Sequence, residues 1–137
     1  MSTDTPALDT AFVPPGWLTS AGLFGFKPQV AAYSAGINEH PSLPAAVEVL
    51  LRDIRPPKRS PGVIGLDKER ALSILHAIAT DAPLPPVTVY AVPDGEFRFR
   101  LGAGYHRFYI SQAIGFRAIP AAILDYWEPW MTGDPMP

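Results

Sequence analysis

Apolar residues recur at three-to-four spacing through Ala71, Leu72, Ile74, Leu75, Ile78 and Ala79, with Asp67 placed ahead of them as an N-cap. That pattern predicts a helix from Asp67 to about Thr80, ended by Asp81-Ala82-Pro83-Leu84-Pro85-Pro86. The pattern then changes period. Val87 to Val92 is a β-branched run, Pro93-Asp94-Gly95 is turn chemistry, and Glu96 to Leu101 alternates polar with apolar, which predicts a hairpin. Its second strand buries Phe97, Phe99 and Leu101 on one face and turns Arg98 and Arg100 to the other. Tyr105 to Ile114 reads as a second helix, stopped by Gly115 as a left-handed cap. Ile119 to Leu124 follows as a short strand led by Ile119-Pro120, proline being tolerated near a strand start or edge.

Ahead of this block, Ala45 to Leu51 reads as a first strand, and Arg52 to Gly65 as a proline-broken loop carrying Arg52, Arg55, Lys58 and Arg59. The run Gly16 to Phe26 is apolar and aromatic but interrupted by Gly16, Gly22 and Gly25, so it fits neither helix nor strand. It is expected to be an ordered arm whose aromatics pack on the domain, completing its core, or on a second subunit. The elements predict one α/β (α+β) domain over residues 47–125, a small mixed sheet with flanking helices. A Pro- and aromatic-rich arm over 1–46 precedes it, and an acidic aromatic tail over 126–137, holding Tyr126, Trp127 and Trp130, is expected on the surface.

Composition sharpens this picture. With 137 residues, 47% of them hydrophobic, the chain can bury an ordinary core, which argues against wholesale disorder. Its 17 prolines, against the usual share of roughly 5%, disfavour an all-helical bundle. The absence of cysteine excludes disulfides, thiolate metal sites and thiol chemistry. Met1-Ser2-Thr3-Asp4-Thr5-Pro6 is no signal sequence, and no apolar run approaches the roughly 18 residues of a membrane helix, so a soluble cytoplasmic protein without a membrane partner is expected. The net charge of -2 is uneven, because residues 47–117 hold ten of the eleven basic residues. Any polyanion affinity belongs to that segment, although its excess is small for a DNA binder, and nucleic acid is not the favoured partner.

Candidate chemistry concentrates at Gly102-Ala103-Gly104-Tyr105-His106-Arg107, between the hairpin and the second helix. Glycine lets a backbone approach phosphate, and a helix start offers unpaired N–H groups, so the junction reads as an anion site. Guanidinium can bond two phosphate oxygens at once, and imidazole can donate a hydrogen bond or shuttle a proton, which suits Arg107 and His106. Tyr105 would stack on a base or cover the pocket. His40 and His76 read as structural, and three scattered histidines make no zinc site. There is no Walker loop and no Gly-x-Ser-x-Gly elbow. Glu48 and Asp53 flank the basic loop and are best explained as solvated surface; Asp94 is explained by its turn.

The ordered set Leu84-Pro85-Pro86-Val87, Pro93-Asp94-Gly95, Gly104-Tyr105-His106-Arg107, Gly115 and Ile119-Pro120 resembles the ParB/sulfiredoxin-like superfamily over roughly residues 47–125. The resemblance implies that fold and a nucleotide-phosphate site at Gly104, Tyr105, His106 and Arg107, with Arg55, Lys58 and Arg59 where relatives carry further phosphate or partner contacts. Members include CTP-hydrolysing segregation proteins, nucleases, sulfiredoxins and a serine kinase. Three departures narrow what transfers. Tyr105 stands where sulfiredoxins need cysteine, which excludes that activity. No helix-turn-helix domain follows Asp125, so a partitioning role is not expected. Ala103 stands where many catalytic relatives carry aspartate, so the carboxylate that could hold a metal or take a proton is missing from the motif.

The function expected from sequence is therefore binding of a nucleotide or another phosphorylated ligand by Gly102, Ala103, Gly104, Tyr105, His106, Arg107 and Arg59. Hydrolysis or phosphoryl transfer would make the chain an NTP hydrolase or phosphotransferase, with His106 as the candidate catalytic residue and Mg²⁺ held by a carboxylate from outside the motif. One alternative is a degenerate interaction or regulatory module, favoured by Ala103 and using Trp17, Phe24, Phe26, Trp127 and Trp130 as a partner patch. A third reading is a small metal-dependent nuclease, supported by the basic middle segment and weakened by the lack of an acidic cluster.

Overall fold

The β-branched run that follows the proline cluster becomes the middle of a sheet. In the computed structural model, which describes residues 13–56, 65–91 and 95–125, strand β3 (Val87–Tyr90) is buried at every position and paired on both sides. The sheet also holds β1 (Val47–Leu50), β2 (Ile54–Arg55), β4 (Phe99–Ala103) and β5 (Ala118–Leu124), in the order β1-β5-β3-β4-β2. Pairing is antiparallel for β1 with β5 and for β3 with β4, and parallel for β3 with β5 and for β2 with β4. This is the mixed sheet that the element pattern predicts.

Helix α1 is Pro15–Ser20, α2 is Lys68–Ala79 and α3 is Tyr105–Ile114. Asp67 caps α2 as expected, its Oδ2 accepting from the Arg70 N–H at 2.9 Å. Ala71, Ile74 and Leu75 carry the buried face of α2, while Ala79 is exposed. Helix α3 buries Phe108, Tyr109, Ile110 and Ser111 in succession and leaves Gln112 and Ala113 exposed, and Gly115 closes it at φ 102°. The core gathers these side chains with Val87, Val89, Ile119 and Ala121 of the two central strands.

Several boundaries differ from the sequence reading, each for a local reason. The first strand is shorter than Ala45 to Leu51, because Leu51 buries its side chain and begins a 3-10 turn, Leu51–Asp53. The expected loop from Arg52 contains strand β2, since Ile54 is fully buried and pairs with Phe99 while Arg55 pairs with Arg100. The second hairpin strand starts at Phe99 rather than Glu96 and continues through Gly102 to Ala103; the Arg98 N–H is drawn to the Asp53 carbonyl at 3.0 Å. Its expected apolar face, Phe97, Phe99 and Leu101, is only half-buried. Strand β5 is interior, not an edge, and Pro120 stands opposite Glu48 just before pairing with β3 begins at Ala121.

The glycine-interrupted run contains a short helix, α1, started by Pro15. Trp17 and Leu18 pack on the core, Leu23 and Tyr33 are buried in it, and Phe26 meets Phe116 edge-on at 6.3 Å between ring centroids. Phe24 points outward. Further along, the Ala31 carbonyl accepts from the N–H groups of Arg117 and Ala118, and Ala35 bridges Leu84. Lys58, Arg59, Pro93, Asp94 and the tail over 126–137, with Trp127 and Trp130, lie outside the described residues. Among the described residues, no helix is long and apolar enough to cross a membrane.

Candidate functional site

The approach to the candidate site is a β-bulge. Thr88 pairs with Ala103 but Val89 pairs with Leu101, so Gly102 is the extra residue on β4. The Tyr90 ring lies across it, and a Cβ at Gly102 would come within 2.5 Å of Tyr90 Cε2. Two residues later Gly104 turns the chain into α3 at φ 105°, with Val87 packed where a side chain would go. Both glycines thus have packing reasons in addition to the backbone exposure expected of a phosphate turn. The Phe108 N–H closes the first turn of α3 on the Gly104 carbonyl at 2.9 Å, so the N–H groups of Tyr105, His106 and Arg107 precede the intrahelical ladder.

His106 joins the two helix starts. Its Nε2 accepts from the Asp67 N–H, at the cap of α2, at 2.9 Å. An accepting Nε2 is unprotonated, so the neutral ring carries its proton on Nδ1. To donate from Nε2 to a phosphate, His106 would have to give up this bond. Tyr105 is half-buried, edge-on to His106 at 5.4 Å and to Tyr109 at 4.7 Å between ring centroids. Ala103 is exposed at the end of β4.

Arg107 is engaged along both edges of its guanidinium. Nη1 donates to the Pro85 carbonyl at 2.7 Å and the Pro86 carbonyl at 3.1 Å, and Nη2 pairs with Glu39 Oε2 at 3.2 Å. The Pro85 carbonyl also accepts from the Tyr33 hydroxyl at 2.7 Å. The register explains why that carbonyl is available: continued one step back from Val87↔Ala121, the parallel ladder would set the N–H of residue 120 on it, and Pro120 has none. Burial raises the Tyr33 pKa well above the usual tyrosine value; the Arg107 charge opposes this and that of Glu39 adds to it.

These groups border an open cleft of 530 Å³, lined by Gly104, Tyr105, His106 and Arg107 together with Arg70, Glu39, Ile74, Leu84 and Pro85. The structure brings four of the sequence-selected residues to one wall. Gly102 and Ala103 lie just before it on β4, and Arg59 lies outside the described residues. Arg70 and Glu39 were not marked by any motif. Arg70 reaches the cleft because capping by Asp67 puts it in the first turn of α2, and Glu39 because the Ala35–Leu84 bridge carries its segment past the start of β3. Glu48 lies on the opposite sheet edge and Asp53 in the 3-10 turn, and neither lines the cleft.

The residues do not fit a metal held by the protein. Among the described residues no three His, Asp or Glu side chains group to hold an ion, and Glu39, the carboxylate lining the cleft, is paired with Arg107.

The fold is that of the ParB/sulfiredoxin-like proteins. The C-terminally truncated chromosome-partitioning protein ParB from Caulobacter crescentus, crystallised with CTP-γ-S, superposes with a TM-score of 0.52 at 17% identity over 66% of this chain and 49% of that one. Arabidopsis thaliana sulfiredoxin gives a TM-score of 0.48 at 27% identity over 61% of this chain and 88% of that one. In sequence, 107 residues are 29% identical to the chromosome-partitioning protein ParB of Myxococcus xanthus, covering 78% of this chain and 35% of that protein. The chain thus spans about a third of the length of that curated relative. No protein-family model matches the chain.

Proposed function

We propose that the chain binds a nucleotide or another phosphorylated ligand in the cleft at the start of α3, with the phosphate against the Gly102 to Arg107 turn. The observation that carries this reading is the convergence of the α3 N-terminus, Arg70 and one edge of Arg107 on a single open cleft. The shared fold with a ParB crystallised with CTP-γ-S supports it. The proposal is of binding: among the described residues the cleft is lined by one carboxylate, Glu39, and that is paired with Arg107. A cytoplasmic location belongs to the same reading.

One set of observations favours the second reading, an interaction module that keeps the fold. Gly102, Gly104, His106 and Arg107 all have intramolecular partners, and Phe24 and Ile37 are 87% and 88% exposed.

Titration of CTP, ATP, GTP and sulfate, with and without Mg²⁺, followed by thermal shift and calorimetry, separates the two. Arg70→Ala is the informative variant, since the Arg70 side chain holds no other segment among the described residues, whereas Arg107 ties three segments together. A midpoint rise with at least one ligand, and about tenfold weaker binding in Arg70→Ala, is expected for loss of a charge-assisted hydrogen bond. No rise with any of them would leave the interaction module standing.

A further inference from the structure

We infer that Glu39 is a built-in competitor for the ligand's phosphate. Its carboxylate holds Nη2 of Arg107 toward the cleft, and a bound phosphate displaces it and frees the loop over residues 37–44. The inference rests on the phosphate-binding reading of the cleft.

The two edges of the Arg107 guanidinium are used differently. Nη1 is committed to two carbonyls at the start of β3 and anchors the plane. Nη2 lies beside the Gly104 turn, and Arg107 lines the same cleft as Gly104, Tyr105 and His106 at the start of α3. Glu39 Oε2 is the anion found there, at 3.2 Å, and both residues line the cleft. The side chains differ in exposure, 11% for Arg107 against 47% for Glu39, so the arginine is the fixed partner and the glutamate the one that can leave.

The chain around Glu39 is built so that leaving is local. The segment is pinned at Ala35 and Gly36, where the Gly36 N–H donates to the Leu84 carbonyl at 2.7 Å, and again at β1 from Val47. Between those points the bonds are internal: Asn38 Nδ2 donates to the Pro44 carbonyl at 2.9 Å and the Leu43 N–H to the His40 carbonyl at 3.1 Å. The Glu39–Arg107 pair ties this turn to α3. A phosphate carries more charge than a carboxylate and can also take the helix N–H groups, which Glu39 does not. Binding of the phosphate and seating of the loop are then mutually exclusive, and each weakens the other by the same factor.

The test uses inorganic pyrophosphate as the probe and compares the full chain with Glu39→Gln, which keeps the shape and removes the competing charge. Calorimetry is expected to show tighter binding in the variant, by up to about fivefold, the range of a half-exposed ion pair. Amide exchange over residues 37–44 is expected to speed up when pyrophosphate saturates the native chain, and to be fast in Glu39→Gln without any ligand. Equal or weaker binding by the variant, or loop exchange that pyrophosphate leaves unchanged, overturns the role of Glu39 while the phosphate reading stands. If neither protein binds pyrophosphate, the phosphate reading falls and the inference falls with it.

Discussion

Gly104→Ala is expected to lower stability by about 2–5 kcal/mol, and a second glycine in the same fold supplies the control. Gly104 and Gly115 flank α3 with nearly equal φ, 105° and 102°, both in the left-handed region. A Cβ in this region costs roughly 1–2 kcal/mol at either end through backbone strain alone. The surroundings differ. At Gly115 the added carbon would meet Pro28 at an ordinary 3.6 Å, whereas at Gly104 it would stand 2.8 Å from Val87 Cβ. Val87 is fully buried in a central strand and cannot retreat without disturbing its pairing with Ala121 on β5, so the clash adds about 1–3 kcal/mol of overpacking. Subtracting Gly115→Ala from Gly104→Ala cancels the common backbone strain and isolates the contact with Val87. Urea denaturation of the three proteins, with the slope checked for constancy, measures the difference. Equal losses at the two positions would refute the argument that Gly104 is required by packing, and would return its explanation to the ligand alone.

Arg107→Lys keeps the charge but cannot reach two carbonyls and Glu39 with one fork, so a loss of about 1–3 kcal/mol is expected by the same denaturation, well above the loss for Glu39→Gln. Tyr33 has a pKa raised by burial, so it stays protonated in the folded chain when the unfolded chain begins to ionise; stability is fully present below pH about 10 and declines as pH rises beyond it. Tyr33→Phe should make that alkaline slope shallower, measured as thermal midpoint against pH. A slope left unchanged by the substitution would count against burial of Tyr33 as a source of it.

The parts of the fold that sequence made legible are those governed by local rules. Asp67 as a cap and Gly115 as a left-handed stop act within one turn of their own position, and both stand where expected. Strand β2 was invisible because two residues carry no periodicity; Ile54 and Arg55 become a strand only through β4, which is remote in sequence. The same limit governs the site. Gly104, Tyr105, His106 and Arg107 are contiguous, so a motif finds them. Arg70 reaches the cleft from 37 positions earlier and Glu39 from 68 positions before Arg107, and no spacing rule joins them.

By residue type, the histidine and arginine of the junction suit a phosphate, and in the structure they first serve the protein itself. His106 accepts a backbone N–H at the cap of α2, and Arg107 fills a carbonyl left open by Pro120 in the neighbouring strand. Such embedding is compatible with binding, and for Arg107 it defines how. A guanidinium anchored along one edge loses little freedom when its other edge meets an anion, so less ordering entropy opposes the contact. The cost falls instead on whatever anion already occupies that edge. In the binding proposed for this cleft, the ion pair with Glu39, together with the motif, therefore sets how readily a phosphate would be accepted.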